Sequence, residues 1–291
     1  MLAGLARLAR PKQWPKNVLV FAAPGAAGVL THGTPLVRSI AGFALFCVVS
    51  SGAYFLNDVV DAEADRRHPT KCLRPVASGA VPVPVAVAGG AVLLAAGIGA
   101  SVAVTWHLSV VLGIYVAVQF VYSLYLKHQP IFDLSAVATG FVLRAIAGGV
   151  AAGVAVSEWF LIVATFGSLL MVTGKRVAEH AELGEDRGAH RATLDAYSST
   201  FLRTVLAISA GGAILAYCLW AFSLQTALLH HRDPLYYQLS IVPMIIALLR
   251  YTFLVESGKG AKPEELVLAD RSLQVLGVVW AVLFALGVYA S

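Results

Sequence analysis

The sequence predicts an all-helical, polytopic membrane protein of about nine spans, and three observations carry that prediction. Of the 291 residues, 58% are hydrophobic and 13% charged, against roughly 25% charged in ordinary soluble domains. Mean hydropathy is +0.77. Runs of about 20 apolar residues recur along nearly the whole chain, each long enough to cross a hydrocarbon core of roughly 30 Å as a helix. The Lys and Arg residues, finally, gather on one set of connections between those runs. One helical membrane domain over residues 1–291 is expected, with no room for a separate soluble domain.

Residues 1–16 place Arg7, Arg10, Lys12 and Lys16 among Leu2, Leu5 and Leu8, without the compact apolar core and small-residue cleavage site of a signal peptide. Leucines at every third position beside bases suit a short helix lying among the headgroups of membrane lipids. Apolar spans follow at 17–31, 37–57, 83–105, 108–126, 131–151, 158–175, 199–222, 237–254 and 270–290. The first is short and Gly-rich.

With the N-terminus in the cytoplasm, segments 58–82, 127–130, 176–198 and 255–269 share its side, and the C-terminus lies outside. Only Arg38 and Arg232 of the 21 basic residues then fall on the outer side, Arg144 falls within a span, and the others lie at or near cytoplasmic ends. This is the positive-inside gradient of a cell-membrane protein, and shifting the span count by one would scatter it. The formal charge of +5 therefore reports topology rather than nucleic-acid binding. Cys47, Cys72 and Cys218 are far apart and lack ligand spacing, so neither a disulfide framework nor a zinc site is expected.

Outer turns such as Trp106-His107 are short, whereas 58–82 and 176–198 are long and polar, which points to a cytoplasmic-side active site built from those two loops. They follow the second and sixth spans, a spacing that suggests a repeat of helix groups.

The first loop opens with Asn57-Asp58-Val59-Val60-Asp61-Ala62-Glu63-Ala64-Asp65. Asp58, Asp61 and Asp65 are three and four residues apart, so on a helix they line one face within reach of a common cation. Mg²⁺ takes one or two protein carboxylates and completes its octahedron with phosphate oxygens and water; Asn57 can add an amide oxygen or orient a carboxylate. Glu63 points to another face, toward solvent or a nearby base. Arg66, Arg67, Lys71 and Arg74 follow at once, and Pro75, Gly79 and Pro82 force a turn. Carboxylates beside bases suit a metal-complexed diphosphate whose remaining charge needs Lys and Arg.

The sixth span ends in Gly174-Lys175-Arg176-Val177-Ala178-Glu179, and Asp186, Arg187, His190, Arg191, Asp195 and Tyr197 follow. Lys175, Arg176 and Glu179 place bases and an acid on one helix side, able to bind an anion and steady it with an ion pair; a juxtamembrane anchor is the alternative. Arg144, inside Phe141-Val142-Leu143-Arg144-Ala145-Ile146, needs a partner or a wet cavity.

The pattern Asn57-Asp58-x-x-Asp61-x-x-x-Asp65 resembles the UbiA superfamily of intramembrane prenyltransferases. More narrowly, Arg10-Pro11-Lys12-Gln13-Trp14-Pro15-Lys16-Asn17, His68-Pro69-Thr70-Lys71-Cys72-Leu73-Arg74-Pro75 and Leu143-Arg144-Ala145-Ile146-Ala147-Gly148-Gly149 resemble its phosphoribosyltransferase branch, through essentially the whole chain. That resemblance implies Mg²⁺-dependent transfer of 5-phosphoribose from phosphoribosyl diphosphate to decaprenyl phosphate, a polyprenyl phosphate, with release of diphosphate, on the way to cell-wall arabinan. A homo-oligomer would suit the family. Most superfamily members hold a prenyl diphosphate between two Asp-rich motifs, and here Lys175-Arg176-Val177-Ala178-Glu179 stands where the second is expected.

On this reading Asp58, Asp61 and Asp65, with Asn57, hold Mg²⁺ on the diphosphate, and Lys71 and Arg74 share its charge. Lys16, Asn17 and Arg144 guide the lipid phosphate, while Lys175, Arg176 and Tyr197 take the 5-phosphate or ribose; these last two roles are exchangeable. Two alternatives stay open. One is a prenyltransferase with a prenyl diphosphate donor and an aromatic or lipid acceptor. The other is a lipid transporter or flippase, which would want polar residues at mid-membrane depth in several spans.

Overall fold

A computed structural model describes residues 1–182, 192–226, 234–258 and 263–290, and among them the regular elements are all helical. Among the described residues eight helices are long and apolar enough to cross a membrane. The chain forms two compact units, Met1–Ala155 and Val156–Ser291.

The first unit begins with α1 (Leu2–Leu8), a 3₁₀ segment (Pro11–Phe21), α2 (Ala22–Ala26) and a 3₁₀ turn (Val29–Thr31). The span expected at 17–31 is therefore not one continuous helix. Pro11 and Pro15 remove backbone donors, Pro24 and Gly25 follow within α2, and Gly28 takes φ 75°, which breaks the regular ladder. A broken backbone is tolerated in an apolar setting where protein covers it, and Asn17, Val20, Ala23 and Pro24 are buried.

Four long helices follow: α3 (Gly33–Val60), then, after short α4 (Ala62–Arg66), α5 (Val83–Ser101), α6 (Trp106–Leu124) and α7 (Phe132–Ala152). Pro82 and Pro84 set the start of α5, and Gly79 takes φ 78° in the turn before it, as the Pro and Gly residues there predict. Gly153, at φ 74°, ends α7. Phe46, Leu112, Tyr115, Leu143 and Val20 form the core, with Phe46 and Tyr115 edge to face at 4.7 Å.

The second unit contains α8 (Glu158–Glu182), α9 (Ala192–Ala196), α10 (Ser199–Thr226), α11 (Pro234–Glu256), α12 (Pro263–Ala269) and α13 (Arg271–Tyr289). Its aromatic core joins Tyr217, Trp220, Tyr237, Trp280 and Phe284. The Trp280 indole donates to the Tyr217 hydroxyl at 2.9 Å, and that hydroxyl lies 2.6 Å from Ser240 Oγ, so the polar tips satisfy one another. On α13, Val275, Val278 and Val282 remain exposed, a surface that suits hydrocarbon rather than water. The three cysteines are free.

Candidate functional site

The acidic segment sits where α3 stops. Asn57 and Asp58 belong to its last turn, Asp61 caps it, and Asp65 lies in α4. Asp58 and Asp65 are only 2% and 4% exposed. A carboxylate withdrawn from water to that degree costs several kcal/mol unless opposite charge meets it, and Arg10 and Arg74 meet these two while Lys127 meets Asp61. Arg10, at the start of the 3₁₀ segment, donates to Asp58 Oδ1. Arg74 Nη1 lies 2.7 Å from Asp65 Oδ2 and 3.7 Å from Asp58 Oδ1. Lys127 Nζ, in the turn after α6, lies 2.5 Å from Asp61 Oδ1. Asn57 Oδ1 accepts from Ser123 Oγ of α6 at 2.5 Å.

The expected alignment of all three aspartates on one cation is met only in part. Asp58 and Asp65 do converge, on Arg74, whereas Asp61 turns to Lys127 because α3 ends there and α4 starts a new turn. Among the described residues no three His, Cys, Asp or Glu side chains already form a metal cage. The donor set nevertheless fits a hard divalent cation: its oxygens come from carboxylates and an amide, and two carboxylates already share one positive group. Glu63 pairs with Arg67 at 2.8 Å on the exposed side, away from this set. Lys71 stands half-buried in a 3₁₀ turn, Lys71–Leu73, three residues before Arg74. Beside Asn57 a shallow, water-sized recess is lined mostly by apolar side chains, including Leu56, Val60, Val116 and Phe120, with Gln119 and Ser123.

Asn17 and Arg144 are brought together, but not to the acidic segment. Arg144 Nε donates to Asn17 Oδ1 at 2.8 Å, and Nη1 donates to the Gly140 carbonyl at 2.6 Å. The rings of Phe46, Tyr115 and Phe141 lie 5.0, 5.1 and 5.5 Å from the guanidinium carbon. Asn17 in turn donates to Cys47 Sγ and Ser50 Oγ of α3. Ser50 is eight residues before Asp58, about 12 Å along a helix. Both residues are buried in the first unit, held by neutral acceptors and aromatic faces, so the role of touching lipid phosphate does not fit them. Lys16, beside Asn17, is half-buried.

In the second unit the basic segment closes α8. Arg176 is buried and donates to Glu179 Oε2 at 2.6 Å, while Lys175, half exposed, reaches Glu179 Oε1 at 3.7 Å. One acid thus steadies two bases. Thr173, Arg176 and His180 recur at helical spacing on the buried side, and His180 Nε2 lies 3.0 Å from the Tyr197 carbonyl oxygen. Tyr197 is itself buried and stacks on Phe201 at 5.8 Å, so its ring serves packing as well as any ligand. Asp186, Arg187, His190 and Arg191 lie outside the described residues.

Sequence reasoning missed Arg10, Lys127 and Ser123. Their partners are 48, 66 and 66 residues away, and no local spacing betrays such pairs. The available signal was weaker: each sits at a span end on the side of the acidic segment.

Residues 18–276 match the model of the UbiA prenyltransferase family. The decaprenyl-phosphate phosphoribosyltransferase of Corynebacterium glutamicum is 44% identical, over 98% of this chain and 87% of its own length. That of Mycolicibacterium smegmatis is 41% identical, over 100% of this chain and 94% of its own. Among solved structures, a UbiA homologue from Archaeoglobus fulgidus bound to GPP and Mg²⁺ matches with a TM-score of 0.71 at 20% identity, covering 99% of this chain and 100% of that one.

Proposed function

Since the chain belongs to the UbiA prenyltransferase family and groups there with decaprenyl-phosphate phosphoribosyltransferases, we propose that it transfers 5-phosphoribose from phosphoribosyl diphosphate to decaprenyl phosphate, releasing diphosphate. The product is a lipid-linked phosphoribose suited to cell-wall arabinan synthesis. The protein is a multi-pass membrane transferase. Its basic gradient supports a cell-membrane location with the N-terminus and both polar segments cytoplasmic and the C-terminus outside.

The observation that carries the donor assignment is the charge of the segment closing α8. Lys175, Arg176 and Glu179 leave an excess of one positive charge where the superfamily pattern would place carboxylates. Such a segment takes a phosphate directly, without metal. The acidic segment in the first unit keeps the diphosphate role: Asp58, Asp61 and Asp65, with Asn57, would hold Mg²⁺. When bound, Mg²⁺ neutralises negative charge that develops on the departing diphosphate.

The chain's own groups do the rest. Arg10, Arg74 and Lys127, already at the carboxylates, are placed to pair with phosphate oxygens, with Lys71 adding charge nearby. The lipid phosphate is an anion at neutral pH and needs no general base to attack the anomeric carbon. It approaches opposite the leaving diphosphate, so the configuration at that carbon inverts. Lys16 remains the candidate to guide it, being half-buried beside the fastened Asn17. Arg176 and Lys175 take the 5-phosphate, and Tyr197 borders that place through His180.

The test is incubation of purified protein with phosphoribosyl diphosphate labelled in the ribose, polyprenyl phosphate and Mg²⁺, followed by lipid extraction. Label should enter the organic phase only when all three are present. Label that stays aqueous while a prenyl diphosphate is consumed with an aromatic acceptor would establish the prenyltransferase alternative instead.

A further inference from the structure

At the end of α3 three acids and three bases cancel: Asp58, Asp61 and Asp65 against Arg10, Arg74 and Lys127. A divalent cation arriving alone must displace a base and leaves two surplus positive charges where burial weakens screening. A cation arriving with a diphosphate leaves no such surplus, because the displaced guanidinium and ammonium groups meet phosphate oxygens.

The arm that delivers Arg10 is fastened along its length. Arg10 has φ 48°, a left-handed conformation that non-glycine residues keep only where their surroundings impose it. On α3, Cys47, Ser50, Ser51, Tyr54 and Asp58 recur at three- and four-residue steps and form one stripe. Ser51 Oγ donates to the Ala9 carbonyl at 2.9 Å and accepts from Trp14 Nε1 at 3.2 Å. Ser50 and Cys47 accept from Asn17. The Tyr54 ring lies 4.8 Å from the Arg10 guanidinium, which reaches Asp58. On α7, Arg144 holds Asn17 from the other side, and one turn on a Cβ at Gly148 would lie 1.7 Å from the Val20 carbonyl oxygen, so backbone rests on backbone there.

We propose that residues 9–20 form a strap that keeps Arg10 as the resident counter-ion of Asp58, so that divalent metal binds the acidic segment together with a diphosphate and only weakly without one. Arg144 and Asn17 are positioning residues of this strap. The proposal rests on the metal–diphosphate reading of the acidic segment. Coupling of this kind is reciprocal: whatever diphosphate adds to metal affinity, metal adds to diphosphate affinity.

Equilibrium dialysis of the purified full-length protein with labelled Mn²⁺, with and without inorganic diphosphate, tests it, since free metal–diphosphate complex distributes equally across the membrane. Wild-type protein should hold Mn²⁺ about tenfold or more tightly when diphosphate is present. Arg10→Gln should bind Mn²⁺ alone more tightly than wild type and lose most of the enhancement, while Arg10→Lys, which keeps the charge, should stay close to wild type. Arg144→Lys should resemble Arg10→Gln although Arg10 is intact; a merely structural Arg144 would lower the thermal midpoint and leave the coupling untouched. Equal Mn²⁺ affinity with and without diphosphate, or coupling that survives Arg10→Gln, would overturn the strap. Full Mn²⁺ retention by Asp58→Asn in the presence of diphosphate would instead overturn the metal reading beneath it.

Discussion

In each unit the first long apolar helix runs into a polar segment, yet α3 leads into acids, whereas α8 first meets the Lys175-Arg176 pair. The two ends are also assembled differently. The acids of the first unit meet bases 48 and 66 residues away, so that site exists only once the unit has folded. In the second unit Glu179 pairs with Arg176 and Lys175 three and four residues back, so the cluster forms with its helix alone. Charge differs as well: three acids against three bases in the first unit, two bases against one acid in the second. A balanced site can exchange its internal ion pairs for a metal cation and a diphosphate anion together, whereas a set with excess positive charge calls for an anion alone. On the proposed assignment, one architecture carries two ways of holding phosphate.

The sharpest way to break this contrast is at the acids. Asp58→Asn or Asp61→Asn should lower metal-dependent transfer by about 100-fold or more. Glu63→Gln, which loses only an exposed pair with Arg67, should stay within about twofold. Steady-state rates of label transfer check both, and a normal rate for either aspartate variant removes the first unit from the chemistry.

The next effect belongs to the second unit. Arg176→Ala, at a buried pair, should raise KM for phosphoribosyl diphosphate about tenfold or more, while Lys175→Ala, half exposed, should change it about threefold or less. If KM for polyprenyl phosphate moves instead, the two phosphate roles are exchanged between the basic clusters.

Packing supplies a third comparison, read from thermal unfolding in detergent. A Cβ at Gly148 would meet backbone, the Val20 carbonyl oxygen at 1.7 Å, while one at Gly174 would meet the Tyr251 hydroxyl at 2.4 Å, the tip of a side chain. Gly148→Ala should cost about 3 kcal/mol or more and Gly174→Ala nearer 1 kcal/mol. Equal costs would mean that the strap yields as readily as a side-chain tip.

The smallest effect is one of pH, at the start of α13. Asp270 accepts from Arg250 at 2.7 Å and from the Leu273 amide at 2.9 Å, and these bonds hold its carboxyl below the usual range. Its contribution is complete above the ordinary carboxylate value, near about 4, and fades as pH falls through the depressed folded value. Asp270→Asn should therefore lower the thermal midpoint at neutral pH and converge with wild type in acid.

Hydropathy made the long helices legible, because a span must be apolar over its whole length whatever it packs against. The segment 17–31 was not, since its apolar composition says nothing of the backbone, and Pro11, Pro15 and Gly28 decide that locally. The acids of the site were legible from their three- and four-residue spacing. Their partners Arg10 and Lys127 were not, because pairing across 48 or 66 residues is a product of tertiary folding. Arg144 announced itself as a cation in an apolar helix, yet its use depends on Asn17 and three aromatic rings that only the fold assembles.

The central claim, a sugar diphosphate as donor and a lipid monophosphate as acceptor, is tested most directly by placing ³²P at two different positions of phosphoribosyl diphosphate. With polyprenyl phosphate and Mg²⁺, label in the 5-phosphate should pass into the lipid phase, and label in the terminal phosphate should appear as aqueous diphosphate at the same rate. Retention of both labels in unchanged phosphoribosyl diphosphate, under conditions where the protein consumes a prenyl diphosphate, would contradict it.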